Sequence, residues 1–342
     1  MSGGGVTGGV GAADIGAVND DRRYLAFDIG GTKIASGVVS LPSPDSLSQP
    51  VVVDVETIPT LADRGGDDVR ERLVEFAVRR IERCADAGVD IAGVGIGSAG
   101  VVDSTSGVIL SATDLMPGWA GQHVTAAVGE ATGLPVHMVG DVGAHGIGEA
   151  LYGAGRGYPI MLSVGVGTGI GGAVVDHGRL VTGTHGVAGH VGHMPHGLGV
   201  GMRCSCGTTS GHIEPVASGT GIADLFESRR PDDVAPAANA AEIARRAAMG
   251  EQYAVEILTM SARALGECLA GMGNLIDPAA IVLSGSVVNA GEVWWRALRE
   301  GFADGALPLL RSTPLLRGRL GGGAPLIGAA AAFAAYPDIC HA

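Results

Sequence analysis

Aromatic side chains are scarce in this chain, only 4% of its 342 residues. Its core must therefore be built from small and branched aliphatic residues. The abundance of Ala, Val and Gly (59 glycines) suits an α/β arrangement of buried strands and small-residue helices. Cysteine is also sparse: five residues, an odd number and mostly scattered, exclude a disulfide scaffold. Basic charge is in deficit, with 22 Lys and Arg against 35 Asp and Glu and a net charge of −13. That balance excludes nucleic acid as the main partner. It leaves phosphate ligands open, because backbone dipoles and metal ions act locally. No apolar run is continuous enough to span a membrane. Residues 1–22, rich in Gly, Ala and Asp, have neither a basic n-region nor an apolar h-region. They read as a disordered leader of a cytoplasmic protein, not a signal peptide. The length suits two ordinary domains or one large one.

What the chain does have is a duplicated segment. Leu25-Ala26-Phe27-Asp28-Ile29-Gly30-Gly31-Thr32-Lys33-Ile34 and Met161-Leu162-Ser163-Val164-Gly165-Val166-Gly167-Thr168-Gly169-Ile170 are versions of each other. Each is an apolar strand, a glycine-rich turn and a second apolar strand. Glycine leaves backbone N–H groups bare and permits positive φ, so each turn can cradle an anion. Two such hairpins predict a duplicated α/β fold that clamps a nucleotide between its halves. Gly167, Gly169 and Gly172 also match the G-x-G-x-x-G dinucleotide fingerprint, but that motif needs a helix directly after the glycines. The strand-like run Ala173-Val174-Val175 follows instead, and the dinucleotide reading is rejected. Glycine serving only a tight hairpin would be the default for either turn alone. The charged pair Asp28 and Lys33 around the first turn goes beyond what a hairpin needs.

Along the chain, strands are expected at 24–39 (a hairpin), 51–59, 91–96 and 136–139, with a turn and a returning strand over 101–110. Helices are expected at 67–87, 122–132 and 143–152. The second hairpin follows, then a His-, Gly- and Cys-dense region over 177–214. After it come long helices over 237–275, a strand at 280–283, the turn Ser284-Gly285-Ser286 leading into a helix, and a closing helix over 328–335. This strand–helix alternation implies a layered α/β architecture.

Three constellations carry chemistry. Asp28 ends a buried strand beside the first turn, where a carboxylate can place Mg²⁺ or merely cap the turn. Asp141 follows the strand 136–139, at the sheet end where open α/β sheets bind ligands. It can take a proton from an attacking hydroxyl or act as a helix N-cap. His193, Cys204, Cys206 and His212 lie within 20 residues of sequence, in a region that holds six of the ten histidines. Two thiolates and two imidazoles suit tetrahedral Zn²⁺, and four protein ligands make such a site structural.

Taken together, these residues resemble the ROK family, the bacterial glucokinase-like sugar kinases and their repressor relatives, over about Tyr24 to Phe333. The resemblance implies the duplicated actin-like ATPase (ribonuclease H-like) fold, α/β in class, with two domains around a central cleft. The smaller domain would hold 23–139 and 321–337, and the larger 140–320 with the zinc-binding loop. It also implies ATP, Mg²⁺ and a structural Zn²⁺, a small-molecule sugar or cyclitol substrate, and a homodimer through the larger domain. Residue by residue, Asp28, Gly30, Gly31, Thr32, Lys33, Gly167, Thr168, Gly169 and Gly285 would bind nucleotide, with Asp28 helping to place Mg²⁺. Asp141 would be the general base. His193 would ligate zinc and touch the sugar, and Glu214 would hydrogen-bond the sugar.

The chain departs from the family pattern at four places. Gly140 replaces the usual Asn before the catalytic Asp. Asp114 replaces a sugar-binding Asn, and His190 replaces the Glu of A-G-E-x-G-H. His212 replaces a third zinc cysteine and remains a valid ligand. Losing matched hydrogen bonds to hydroxyls is costly enough to change substrate choice. The expected reaction is therefore ATP-dependent phosphorylation of a hexose-like polyol, an amino sugar or C7-cyclitol of the antibiotic-biosynthesis kind rather than plain glucose. An ordinary glucokinase and an inactive sugar sensor are the alternatives. A repressor is disfavoured because 22 residues before the first strand are too few for a DNA-binding domain.

Overall fold

The computed structural model describes residues 22–43 and 46–336; apart from Arg22, the leader read from the sequence lies outside them. The chain divides into two compact units. One takes in the described residues up to His145 and those from Gly323 onward; the other is Gly146–Gly322. The division falls a few residues later than the sequence suggested, inside a helix, so Gly140 and Asp141 belong to the first unit. The cause is close packing: a Cβ on Gly328 would sit 1.6 Å from the carbonyl oxygen of Ala144, which ties the start of that helix to the closing helix.

The first unit contains β1 (Arg22–Ile29), β2 (Lys33–Leu41), β3 (Val51–Pro59), α1 (Gly66–Asp86), β4 (Val94–Ser98), β5 (Val101–Asp103), β6 (Val108–Ser111), α2 (Val124–Thr132), β7 (Val136–Gly140) and the first turn of α3 (Asp141–Tyr152). Its sheet runs β3-β2-β1-β4-β7, with β1, β2 and β3 antiparallel and β4 and β7 parallel to β1. α1 buries Val69, Leu73, Phe76 and Ala77 at helical spacing. Phe76 meets Phe27 of β1 edge-on at 5.6 Å. Arg80, on the same helix, is fully buried and pairs with Asp54 of β3 at 2.9 Å.

The closing helix, Ala324–Ala335, starts earlier than expected because Pro325 suits a first helical turn. It lies so near β4 that a Cβ on Gly95 would sit 2.2 Å from the Ala329 carbonyl oxygen. Glycine on the strand and alanine on the helix permit this approach, which is what the aromatic-poor composition accomplishes.

The second unit contains β8 (Ile160–Val166), β9 (Ile170–Asp176), β10 (Arg179–Val181), β11 (Pro195–Val200), β12 (Ser210–His212), α4 (Glu214–Ala217), α5 (Gly219–Arg229), α6 (Ala240–Ala248), α7 (Gln252–Ile276), β13 (Ala280–Ser284), α8 (Glu292–Gly305) and β14 (Leu315–Arg317). Its sheet runs β10-β9-β8-β13-β14, again two antiparallel steps on one side of the hairpin strand and two parallel steps on the other. The duplication seen in the two sequence segments thus extends to the whole topology of each sheet. α7 and α8 bury Leu258, Leu265, Leu269, Trp294 and Leu298 in the core of this unit. Glu149 of α3, fully buried, accepts backbone N–H bonds from Ala154 at 2.8 Å, Arg319 at 3.1 Å and Leu320 at 2.9 Å.

Most elements match the sequence reading to within a few residues. β4 begins at Val94 instead of Ile91 and runs on into Gly97 and Ser98, which pair with Asp28 and Ile29. The region 177–214 contains three short strands too brief to show a period. Among the described residues, no helix is long and apolar enough to cross a membrane.

Candidate active site and metal centre

The two glycine turns close differently. In the first, the ladder ends at Ile29 opposite Ile34, and Gly30 donates its N–H to the Lys33 carbonyl at 3.0 Å. Buried Thr60 braces this turn, with its hydroxyl donating to the Gly30 carbonyl at 2.6 Å and its N–H to the Thr32 carbonyl at 3.0 Å. In the second, the ladder ends at Val166 opposite Ile170, and Gly167 donates to the Gly169 carbonyl at 2.9 Å. That turn is one residue shorter.

None of Gly30, Gly31, Gly167 and Gly169 has positive φ, which corrects the expectation that backbone freedom explains them. A Cβ added at Gly31 or Gly167 would meet no heavy atom within 4 Å. Neither conformation nor packing demands glycine at these two positions. What glycine does there is leave the backbone bare, as an anion cradle requires. Gly285 is different: its φ is +97° and a Cβ would lie 2.4 Å from the Val166 carbonyl oxygen. The fold itself fixes that glycine, at the end of β13 beside the second turn.

Asp28 and Asp141 stand at the same end of the first sheet. Ile29, Ser98 and Gly140 lie abreast on the parallel strands β1, β4 and β7, so Asp28 precedes that row and Asp141 follows it. Burial and then the negative charge of Asp141 raise the Asp28 carboxyl to about 6, with the Lys33 ammonium opposing. Lys33 and Thr32 are exposed beside them. Asp141 opens α3 and its Oδ1 accepts the N–H of Val142 at 2.8 Å. Two acids held together with one partly desolvated form a site suited to a divalent cation or a transferred proton.

Around them, Gly140 does not have a backbone that only glycine can adopt, and a Cβ there would make ordinary contact with the Gly100 carbonyl at 3.7 Å. A Cβ is therefore tolerated, and glycine leaves no side chain next to Asp141. Asp114 is exposed. Five residues on, fully buried Trp119 donates its indole N–H to the Ser98 hydroxyl at 3.2 Å, fixing that loop to the end of β4.

In the second unit, one ligand atom each from His193, Cys204, Cys206 and His212 lies within 4.8 Å of every other. The Cys204 sulfur is 3.5 Å from His193 Nδ1, and the Cys206 sulfur is 3.4 Å from His212 Nδ1. A tetrahedron with Zn–S of about 2.3 Å and Zn–N of about 2.0 Å has edges of roughly 3.3–3.8 Å, so these two sulfur–nitrogen separations and the donor chemistry suit zinc. Burial lowers the His193 pKa, favouring the neutral imidazole that binds metal. His190 stacks on His193 at 5.9 Å, and His193 tilts on His212 at 4.9 Å. His190 thus adjoins the metal cluster.

Glu214 joins this cluster to the second turn. One carboxylate oxygen accepts the Ile170 N–H at 3.0 Å. The other accepts the Ser205 hydroxyl and the Ser205 N–H at 3.4 Å, and lies 3.5 Å from the Cys204 sulfur. Thr60, Trp119 and Ser205 were not singled out from the sequence. Each acts through a contact distant in sequence or inside an irregular loop, and no local spacing marks it.

Known proteins resemble this chain over most of its length. Glucokinase of Halalkalibacterium halodurans is 30% identical over 322 residues, 90% of this chain and 94% of that protein. N-acetyl-D-glucosamine kinase of Pectobacterium atrosepticum is 30% identical over 317 residues, covering 90% and 97%. The crystal structure of a ROK family glucokinase from Streptomyces griseus, in complex with glucose and AMPPNP, superposes with a TM-score of 0.69. It is 28% identical, with 90% of this chain and 98% of that chain covered. The shared architecture is the actin-like ATPase fold. The ROK family model matches residues 24–335, and the chain belongs to the ROK family.

Proposed function

We propose that the protein transfers the γ-phosphoryl group of ATP to a hydroxyl of a hexose-like polyol, with an amino sugar or a C7-cyclitol preferred over plain glucose. The observation that carries the first half is the pair of open glycines, Gly31 and Gly167, which the fold does not require. Gly30, Gly31, Thr32, Gly167, Thr168 and Gly169 would contact the phosphates through bare backbone N–H groups, with Lys33 adding a point charge and Gly285 lying on the nucleoside side. Kinase relatives acting on glucose and on N-acetyl-D-glucosamine support the reaction class.

Catalysis in this reading is positioning plus charge neutralisation. Asp141 accepts the proton of the attacking hydroxyl. Asp28 supplies a carboxylate for the Mg²⁺ that accompanies ATP, and that ion would neutralise charge on the transferring group. His193, Cys204, Cys206 and His212 would hold Zn²⁺ as a structural ion.

The substrate preference rests on the hydroxyl-reading positions. Gly140 lacks a side chain where the family pattern has Asn, Asp114 accepts where an amide would also donate, and His190 replaces a carboxylate. A pocket altered at three polar positions rejects the old substrate through unpaired groups. The test is incubation with ATP, Mg²⁺ and separate pools of hexoses, amino sugars and C7-cyclitols, followed by mass spectrometry of phosphorylated products. A monophosphate of an amino sugar or cyclitol is expected. Glucose 6-phosphate as the sole product would overturn the preference, and no product from any pool would overturn the kinase reading.

A further inference from the structure

We infer that the His193–Cys204–Cys206–His212 cluster and the second glycine turn are energetically coupled through Glu214, so that a cation in the cluster and a nucleotide at the turn each tighten the other. The inference rests on the reading that this turn takes nucleotide phosphate.

The turn is seated on the chain that directly follows the last cluster residue. His212 ends β12, Ile213 donates its N–H to the carbonyl of Met194 at 2.9 Å, and Glu214 opens α4. Met194 in turn follows His193. From the same stretch, Gly219 donates its N–H to the Gly167 carbonyl at 2.7 Å, and Thr220 to the Thr168 carbonyl at 3.4 Å. Glu214 closes the connection directly, with one oxygen on Ile170 N and the other on Ser205 between the two cysteines. The fit is close: a Cβ on Gly169 would lie 2.7 Å from the Glu214 oxygen.

Ser205 and Cys206 are exposed at the tip of a short turn, closed by the Cys204 N–H on the Thr208 carbonyl at 2.9 Å and the Gly207 N–H on the Cys204 carbonyl at 2.9 Å, and both flanking cysteines belong to the cluster. Four ligands on a cation would fix that loop and with it both Ser205 donors. A half-buried carboxylate that loses two donors must find others, and Ile170 N is then no longer held where the turn needs it. Coupling of binding free energies is reciprocal, so nucleotide at the turn must hold the cation by the same factor.

The test follows zinc release from the zinc-loaded full-length protein to a chromophoric chelator, with and without saturating AMPPNP. In the unaltered protein AMPPNP is expected to slow release by about fivefold or more, at the lower end of typical allosteric coupling. Glu214→Gln keeps the shape but weakens the acceptor. It is expected to retain one zinc per chain and to bind AMPPNP, while the effect of AMPPNP on release shrinks towards none. Ser205→Ala, which cuts only the cluster side, is expected to reduce the effect in the same direction. Zinc and AMPPNP both bound with release unchanged by AMPPNP would overturn the coupling while leaving the proposed kinase function standing. Failure of the unaltered protein to bind AMPPNP would overturn it by removing the nucleotide site. Failure to retain zinc would overturn it by removing the cation.

Discussion

At the residue scale the account turns on a few ionisable groups. Asp141→Asn keeps an oxygen that can accept the Val142 N–H, so the helix start should survive. It loses the base, and kcat should fall by roughly 10²- to 10⁴-fold with little change in Tm. Asp28 is a second case. Its carboxyl is raised from 3.8 to about 6 by burial and by Asp141, so its contribution to stability is present in full below pH 3.8 and is lost as pH rises through about 6. Asp28→Asn should therefore raise Tm at pH 7 while abolishing turnover, a trade measured by calorimetry beside a kinase assay. His137 on β7 has the opposite sign. Burial lowers it from 6.5 to about 4, so its contribution is intact above pH 6.5 and is lost as pH falls through about 4. His137→Phe should flatten that decline, and melting curves between pH 4 and 7 for the two variants separate the two effects.

At the element scale, the hairpins distinguish glycines kept for a ligand from glycines kept for the fold. Gly31→Ala and Gly167→Ala should leave Tm unchanged or raise it slightly, because an alanine there meets nothing and restricts the unfolded chain. The same variants should raise the KM for ATP. Gly285→Ala should instead lower Tm, since φ is +97° and the Val166 carbonyl is 2.4 Å from the new carbon. The hairpins, the first-unit helices and α7 were legible in the sequence because each is long and periodic. Of the two reasons read for their glycines, a bare backbone and positive φ, only the second fails, since φ cannot be read from composition. β10, β11 and β12 were not legible, being three to six residues long and set by pairing, β10 with β9 and β11 with β12. The division into two compact units falls inside α3, a few residues after the boundary expected from the sequence. It depends on Gly328 meeting Ala144, a contact between residues nearly two hundred positions apart.

At the scale of the whole molecule, the duplication visible in two ten-residue segments proved to be a duplication of sheet order and strand direction. The four metal-ligating candidates, scattered over 20 residues of sequence, converge in space. The proposed substrate preference rests on Asp114, Gly140 and His190, where the sequence departs from the pattern it otherwise resembles. Restoring that pattern by Asp114→Asn, Gly140→Asn and His190→Glu together should raise kcat/KM for glucose by about tenfold or more, the scale on which matched hydroxyl contacts discriminate substrates. The central claim is that the retained phosphate turns and Asp141 serve an acceptor other than glucose. Its most direct test is kcat/KM from ADP release with ATP and Mg²⁺ across glucose, amino sugars and C7-cyclitols, with Asp141→Asn as control. The account predicts the highest value for an amino sugar or cyclitol, reduced by roughly 10²-fold or more in the variant; a highest value for glucose, or an Asp141→Asn value close to that of the unaltered protein, would contradict it.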